Sequence, residues 1–383
     1  MALRVALIAG EASGDQLGAE LMRALRAKHA DVSFEAVAGP KMRAEGCRSL
    51  GDIKELSVMG LTEVLKDLPR LLRLRRELGN YLIEERPDVV IGIDAPDFNL
   101  GLETRVRKAG IPTVHYVSPT VWAWRPGRVK TVARAADLLL CLFPFEPECY
   151  QETDLRAVFA GHPLTSEIPA PMDMQTARAE LGLPGGKRFV ALLPGSRQSE
   201  IQRLGPLFLR AARLLRKKYP ELEFIVPLAT PEAEAAFAAL KEWGKVEFPI
   251  HLFRGKARKV MAAADVVLTA SGTATMEAMM LERPTVVSYK VSPATNWLLR
   301  RLGLLTTRFV AMPNVLAGQM VMPELLQGDA RPAKLAGAVS ELLMDEGKRA
   351  KMSKNLGVLS SRLRVSGPST AAKAILELVA ARS

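Results

Sequence analysis

The sequence predicts an α/β protein of two domains, each a parallel sheet covered by helices on both faces. Three observations carry this. Apolar runs of strand length alternate with segments of helical periodicity along nearly the whole chain, and that rhythm belongs to parallel sheets. The 383 residues are too many for one ordinary core. A Pro- and acid-rich stretch, Pro163–Pro171, divides the rhythm in two and reads as a linker.

In the first half the expected strands are Arg4–Ala9, Ser33–Ala38, Asp88–Ile93, Thr113–Val117, Leu138–Phe143 and Ala157–Ala160, with amphipathic helices such as Leu17–Lys28 and Leu100–Lys108 between them. In the second half they are Phe189–Leu193, Glu223–Pro227, His251–Phe253, Val266–Thr269 and Thr285–Ser288. The domains run over residues 1–165 and 170–365. A final helix, Ser369–Ala381 within residues 366–383, crosses back to the first domain or swaps onto a second copy. Sites in such sheets lie at the C-terminal ends of the strands.

Hydrophobic residues make up 48% and charged residues 25%, a balance that excludes a largely disordered chain. No apolar run approaches the roughly 18 residues of a membrane span. The three cysteines fit neither a disulfide framework nor a zinc spacing, as expected of a cytosolic chain. Lys and Arg total 53 against 41 Asp and Glu, a net +12. Such a surface attracts anionic lipid, phosphorylated substrates or nucleic acid. With 5% aromatic residues and no RNA-binding aromatic motif, nucleic acid is the least favoured.

Five segments carry candidate chemistry. Gly10-Glu11-Ala12-Ser13-Gly14-Asp15 follows the first strand. It reads either as a ligand approach or as a tight turn capped by Ser13 or Asp15. Gly92-Ile93-Asp94-Ala95-Pro96-Asp97-Phe98-Asn99 closes another strand. Asp94 there is the candidate general base, and Asp97 or Asn99 the helix cap. His115, followed by Trp122 and Trp124, offers a competing base and flat walls for sugar or acyl groups. Gly195-Ser196-Arg197 reads as a diphosphate clamp. Ser271-Gly272-Thr273 opens a helix suited to phosphate, with Glu277 one turn on for the ribose hydroxyls. No Asp-x-Asp occurs, which disfavours metal-assisted departure of a diphosphate.

The segment Leu61–Arg76 carries an apolar stripe at Leu61, Val64, Leu65, Leu68, Leu71 and Leu72, bordered by Arg70, Arg73, Arg75 and Arg76. A basic amphipathic helix of this kind lies on an anionic membrane or packs on its own sheet. Pro69 is expected to split it into two short helices.

Together AGEASGD, VMG, GIDAPDFN, HYVSPTVWAWRPGRV, LFPFE, GHPL, LLPGSRQSEI, SGTATMEAM, PNVLAG and PELLQ resemble the lipid-A-disaccharide synthase family, in order from Val5 to the neighbourhood of Ala330. The resemblance implies a GT-B fold, two Rossmann-like domains facing across a cleft. It implies inverting transfer of 2,3-diacylglucosamine from UDP to the 6-hydroxyl of 2,3-diacylglucosamine 1-phosphate (lipid X). No cofactor and no metal are expected. It implies work at the cytoplasmic face of the inner membrane of Gram-negative bacteria. It also brings in Asn314 as a bridge to the donor. Asp94 is the first choice of base, with Glu11 and His115 as competitors. Rival readings are another UDP-sugar enzyme of this fold and a non-catalytic nucleotide- or membrane-binding protein. The acids Glu11 and Asp94 disfavour the last, since pure anion binding gains nothing from them.

Overall fold

The computed structural model describes residues 2–56, 61–123, 127–291, 308–365 and 367–382, and of residues 61–66 the backbone alone. The chain divides into two compact units. One comprises Met1–Pro163 with Leu363–Ser383, the other Leu164–Arg362.

The first unit holds strands β1 (Leu3–Ala9), β2 (Val32–Ala38), β3 (Arg48–Asp52), β4 (Val89–Ile93), β5 (Thr113–Tyr116), β6 (Leu138–Cys141) and β7 (Arg156–Phe159). They form one sheet in the order β3-β2-β1-β4-β5-β6-β7, with every pairing parallel. β4 and β6 are continuous apolar runs because helices cover both faces. On one face Leu7, Ile91, Ile93, Val114 and Leu140 join a core with Leu21 and Leu25 of the helix Ala12–Lys28. The helix Gly367–Ala380 adds Ala371, Ala372, Ala374 and Ile375 to that same core. The ion pairs Arg156–Glu377 (2.5 Å) and Arg382–Asp137 (2.6 Å) fasten its flanks. On the other face Ile8 and Val90 pack against Leu78, Leu82, Leu102 and Val106.

The second unit holds β8 (Phe189–Leu193), β9 (Glu223–Leu228), β10 (Ile250–Arg254), β11 (Val266–Ala270), β12 (Thr285–Tyr289) and β13 (Glu324–Leu326). Their order is β10-β9-β8-β11-β12-β13, again all parallel. In each sheet the chain winds outward from its first strand, returns, and winds the other way. The order therefore reverses between β1 and β4 in one unit and between β8 and β11 in the other. Ligands of open parallel sheets bind beyond the strand ends at such a point.

Two strands were not expected. β3 and β13 are edge strands, polar or very short, and lack an apolar run. Nor does Pro69 split its helix, which runs unbroken over Leu61–Glu85. An interior proline costs about 3 kcal/mol. Burial of Leu78 and Leu82 on the sheet offsets that cost, and Pro69 itself is exposed. Among the described residues no helix is long and apolar enough to cross a membrane.

Candidate functional site

In the first unit Ala9 of β1 pairs with Ile93 of β4, so Glu11 and Asp94 leave adjacent strand ends at the reversal point. Glu11 is the extended residue ahead of the helix Ala12–Lys28 (φ −147°) and is exposed. Asp94 (φ 54°) and Ala95 (φ 43°) are consecutive left-handed residues. L-residues hold that conformation only where their surroundings enforce it. The Asp94 N–H donates to the Tyr116 carbonyl at 2.8 Å, and the Asn99 side-chain amide donates to the Asp94 carbonyl at 2.8 Å. Pro96 then starts the helix Pro96–Lys108 with its φ already set.

The capping expectations at these two turns are corrected. Neither Ser13 nor Asp15 caps the helix Ala12–Lys28. The Asp15 carboxylate is buried and accepts from the N–H groups of Gly39 (2.9 Å), Lys41 (2.9 Å) and Met42 (3.0 Å), capping the short helix Pro40–Ala44 instead. Neither Asp97 nor Asn99 caps the helix Pro96–Lys108, whose N-cap is Ala95. Asp97 is exposed and ion-paired with Arg128, while Asn99 is fully buried under the Asp94 turn.

His115 is also fully buried. Its Nδ1 lies 2.8 Å from Oε1 of Glu103, equally buried. Burial pushes the Glu103 carboxyl above its ordinary range, and the imidazole offsets part of the rise. A Cβ on Gly92 would come within 2.0 Å of Glu103 Oε1, so the pair requires glycine there. With no exposed surface, His115 cannot meet a substrate hydroxyl as it stands, which weighs against it as a base.

Beyond β5 and β6 lies an aromatic shelf. Trp122 meets Phe145 edge-on at 5.4 Å, Phe145 stacks on Phe143 at 5.9 Å, and Phe143 lies 5.2 Å from His162. Beneath it Glu146 is buried and accepts from the N–H groups of Leu142 and Phe143, both at 3.0 Å. Burial raises its pKa to about 7 against the lowering pull of those N–H groups and the Trp122 indole. Trp124 lies outside the described residues.

In the second unit Leu193 pairs with Thr269, so Gly195-Ser196-Arg197 and Ser271-Gly272-Thr273 leave adjacent strand ends at its reversal point. Gly195 (φ 124°) is forced, and a Cβ there would also strike Glu200 at 2.4 Å. The Glu200 carboxylate accepts from Ser196 N–H (3.1 Å) and Arg197 N–H (3.3 Å). Two backbone donors expected to serve a diphosphate are therefore held by a carboxylate of the chain itself. The Ser196 and Arg197 side chains stay exposed. No side chain caps the helix Thr273–Met280, and Gly272 (φ 146°) precedes it. Ser271 Oγ donates to the Val310 carbonyl at 3.2 Å.

Glu277 accepts from Arg258 Nε at 2.8 Å, and Arg258 also pairs with Glu167. Burial alone would lower the Arg258 pKa; its bonds to Glu167 and Glu277 raise it instead.

Asn314 is fully buried and spends its polar atoms on the protein. It donates to Met322 O (2.8 Å) and Glu324 Oε1 (2.7 Å), and accepts from Val321 N–H (2.7 Å) and Met322 N–H (2.8 Å). Its two donors and its acceptor oxygen are all engaged within the protein, which weighs against a direct bond to the donor. Its neighbour Glu324 also accepts from Val310 and Ala311 N–H, which ties Asn314 to the carbonyl that Ser271 holds.

Sequence reading missed Glu200, Arg258, Glu324 and Glu146. Of these only Glu200 carried a local signal, as an acid in the first turn of the helix that follows Gly195-Ser196-Arg197. On the basic helix Leu68 and Leu72 are 43% and 44% exposed and Leu71 is partly buried; the side chains of Leu61, Val64 and Leu65 lie outside the described residues. Leu74, Leu78 and Tyr81 of the same helix, with Val37 and Leu50, line a cavity of about 240 Å³.

Two solved structures of similar fold are a UDP-GlcNAc 2-epimerase from Neisseria meningitidis bound to UDP-GlcNAc and the glycotransferase of kitacinnamycin. The first has a TM-score of 0.60 at 12% identity, covering 99% of this chain and 100% of that one. The second has a TM-score of 0.61 at 17% identity, covering 98% of each. At such identity they speak for the fold alone, which is GT-B. The family model described as lipid-A-disaccharide synthetase matches residues 5–375. Lipid-A-disaccharide synthases from Chromobacterium violaceum and Alkalilimnicola ehrlichii are 49% and 50% identical, each covering 98% of this chain, with 97% and 98% of their own lengths matched. One from Pseudomonas aeruginosa is 48% identical over 99% of both chains. Matched along nearly its whole length, the chain belongs to the lipid-A-disaccharide synthase family, glycosyltransferases of lipid A biosynthesis.

Proposed function

We propose that the enzyme joins UDP-2,3-diacylglucosamine to 2,3-diacylglucosamine 1-phosphate, giving the β-1,6-linked disaccharide 1-phosphate and UDP with inversion at the anomeric carbon. Family membership supports the reaction class. The observation that carries the assignment of roles is the contrast between the two reversal points. One presents two acids, Glu11 and Asp94, and the other an exposed Arg197 with an uncapped helix start at Gly272.

Asp94 takes the proton from the acceptor 6-hydroxyl as that oxygen forms its bond to the sugar C1. The bond from C1 to the diphosphate breaks, and its electron pair leaves on UDP. Arg197, Ser196 and the first turn of Thr273–Met280 stabilise the departing charge, with Ser271, Gly272 and Thr273 around the diphosphate and Glu277 on the ribose. No metal takes part. Glu11 is the alternative base, exposed beside Asp94. Asn314 contributes by fixing the Val310 segment under Ser271. Leu68, Leu71 and Leu72 contact the inner-membrane surface from the cytoplasmic side, with Leu61, Val64 and Leu65 continuing that stripe. The acyl chains lie toward Trp122 and that helix.

The test mixes the purified protein in mild detergent with both substrates and looks for disaccharide by mass, with and without EDTA. Disaccharide in both supports the reading. Loss of product on chelation would bring in a metal, and UDP release without disaccharide would mean a different acceptor. Asp94→Ala should lower kcat by about 10²- to 10⁴-fold with UDP affinity unchanged; equal loss of both would remove Asp94 from the base role.

A further inference from the structure

Beneath the Asp94 turn the side-chain amide of Asn99 meets three backbone carbonyls at once. Its Nδ2 lies 2.8 Å from Asp94 O, 3.2 Å from Ile8 O and 3.4 Å from Ile93 O. Three carbonyl oxygens around one atom require it to be the nitrogen, since the amide oxygen there would meet only acceptors. Ile8 belongs to β1 and Ile93 to β4, so one side chain ties together the two strand ends from which Glu11 and Asp94 depart.

The amide is itself held. Asn99 is fully buried. A Cβ on Gly92 would stand 2.9 Å from Asn99 Cβ and 2.0 Å from Glu103 Oε1. The strand therefore presses directly on Asn99 and on the Glu103–His115 pair one helical turn along. Asn99 Oδ1 has no hydrogen-bond partner among the described residues. An unpartnered buried acceptor is costly, and a residue that only filled space would not need it. What the amide secures is a conformation that the backbone resists, the left-handed pair Asp94 and Ala95.

We propose that Asn99 is the positioning residue of the catalytic base, holding Asp94 in the left-handed turn that aims its carboxylate at the acceptor hydroxyl. This rests on the reading of Asp94 as base. A carboxylate displaced by about 1 Å loses on the order of 10²-fold in rate, and the loss falls on turnover alone because nucleotide binding belongs to the other unit.

The experiment compares Asn99→Ala, Asp94→Ala and the double variant by kcat and KM for both substrates, UDP affinity by calorimetry, and melting temperature. Asn99→Ala is expected to lower kcat about 10²-fold with UDP affinity unchanged. The double variant is expected to be no slower than Asp94→Ala, because a residue acting through Asp94 has nothing left to position. Wild-type kcat in Asn99→Ala, or a full further loss on the Asp94→Ala background, overturns the proposal and leaves the base reading standing. Wild-type kcat in Asp94→Ala overturns both. If Asn99→Ala does not fold, Asn99→Ser, which keeps one shorter donor, takes its place in the same comparison.

Discussion

Arg258 Nε donates to Glu277 Oε1 at 2.8 Å while the same guanidinium grips Glu167. The carboxylate proposed for the ribose is thus held in one orientation before any nucleotide arrives. Glu277→Ala should weaken UDP binding by about tenfold or more, the worth of hydrogen bonds to a charged group, with kcat unchanged at saturating donor. Arg258→Ala should cost less, because it loosens the carboxylate without removing it. Calorimetry with UDP checks both, and unchanged affinity in Glu277→Ala ends the ribose assignment.

Glu200 points the other way. Its carboxylate sits on the N–H groups of Ser196 and Arg197, where a phosphate would have to displace it or bind beside its charge. Glu200→Gln keeps an acceptor and removes the charge. We expect UDP affinity to rise severalfold, more at low salt than at high salt. Unchanged affinity would show that the diphosphate does not approach this loop, and a fall would show that the Glu200 charge serves binding rather than opposing it.

Glu146 links pH to stability. Its pKa rises from an ordinary 4.5 to about 7 in the folded chain, so the native state holds its proton longer than the unfolded state does. The sign follows from linkage. This group's contribution is fully present below pH 4.5 and is lost as pH rises through about 7. The gap is worth about 3 kcal/mol at 1.36 kcal/mol per pH unit. Glu146→Gln should therefore gain on the wild type by about that much between pH 4.5 and pH 8, read from denaturant midpoints at each pH. Parallel curves for the two proteins would contradict it.

The exposed Leu68 and Leu72 make the membrane reading testable. Replacing both by Ser should reduce binding to anionic vesicles by about tenfold or more, given the apolar area removed. Turnover on detergent-dispersed substrates should hold. Equal vesicle binding by the two proteins would assign the stripe to some other contact.

The central strands were legible because burial on both faces leaves an uninterrupted apolar run, as in Val89–Ile93 and Phe189–Leu193. Two of the four edge strands were not, because Arg48–Asp52 and Glu324–Leu326 bury little and carry no such signal. The turns holding Glu11, Asp94, Gly195 and Ser271 were visible from their glycines and prolines next to strand ends. Their wiring was not. Asp15 looked like a cap for its own helix, and its real partners lie 24 to 27 positions along the chain. His115 looked available, and only the fold brings Glu103 to it. Local pattern reveals what a residue can do, while tertiary contacts decide whether it is free to do it.

The helix Gly367–Ala380 completes the core of the first unit, yet the whole of Leu164–Arg362 separates it from the strands it covers. During synthesis those strands emerge roughly 200 residues ahead of their lid, an interval on the order of 10–40 s at ordinary elongation rates. Throughout it the apolar seat for Ala371, Ala372 and Ile375 stands open, while the second unit, continuous in sequence, is free to finish first. The nascent chain thus carries part of one apolar face of its first sheet uncovered past the ribosome exit until the helix Gly367–Ala380 arrives.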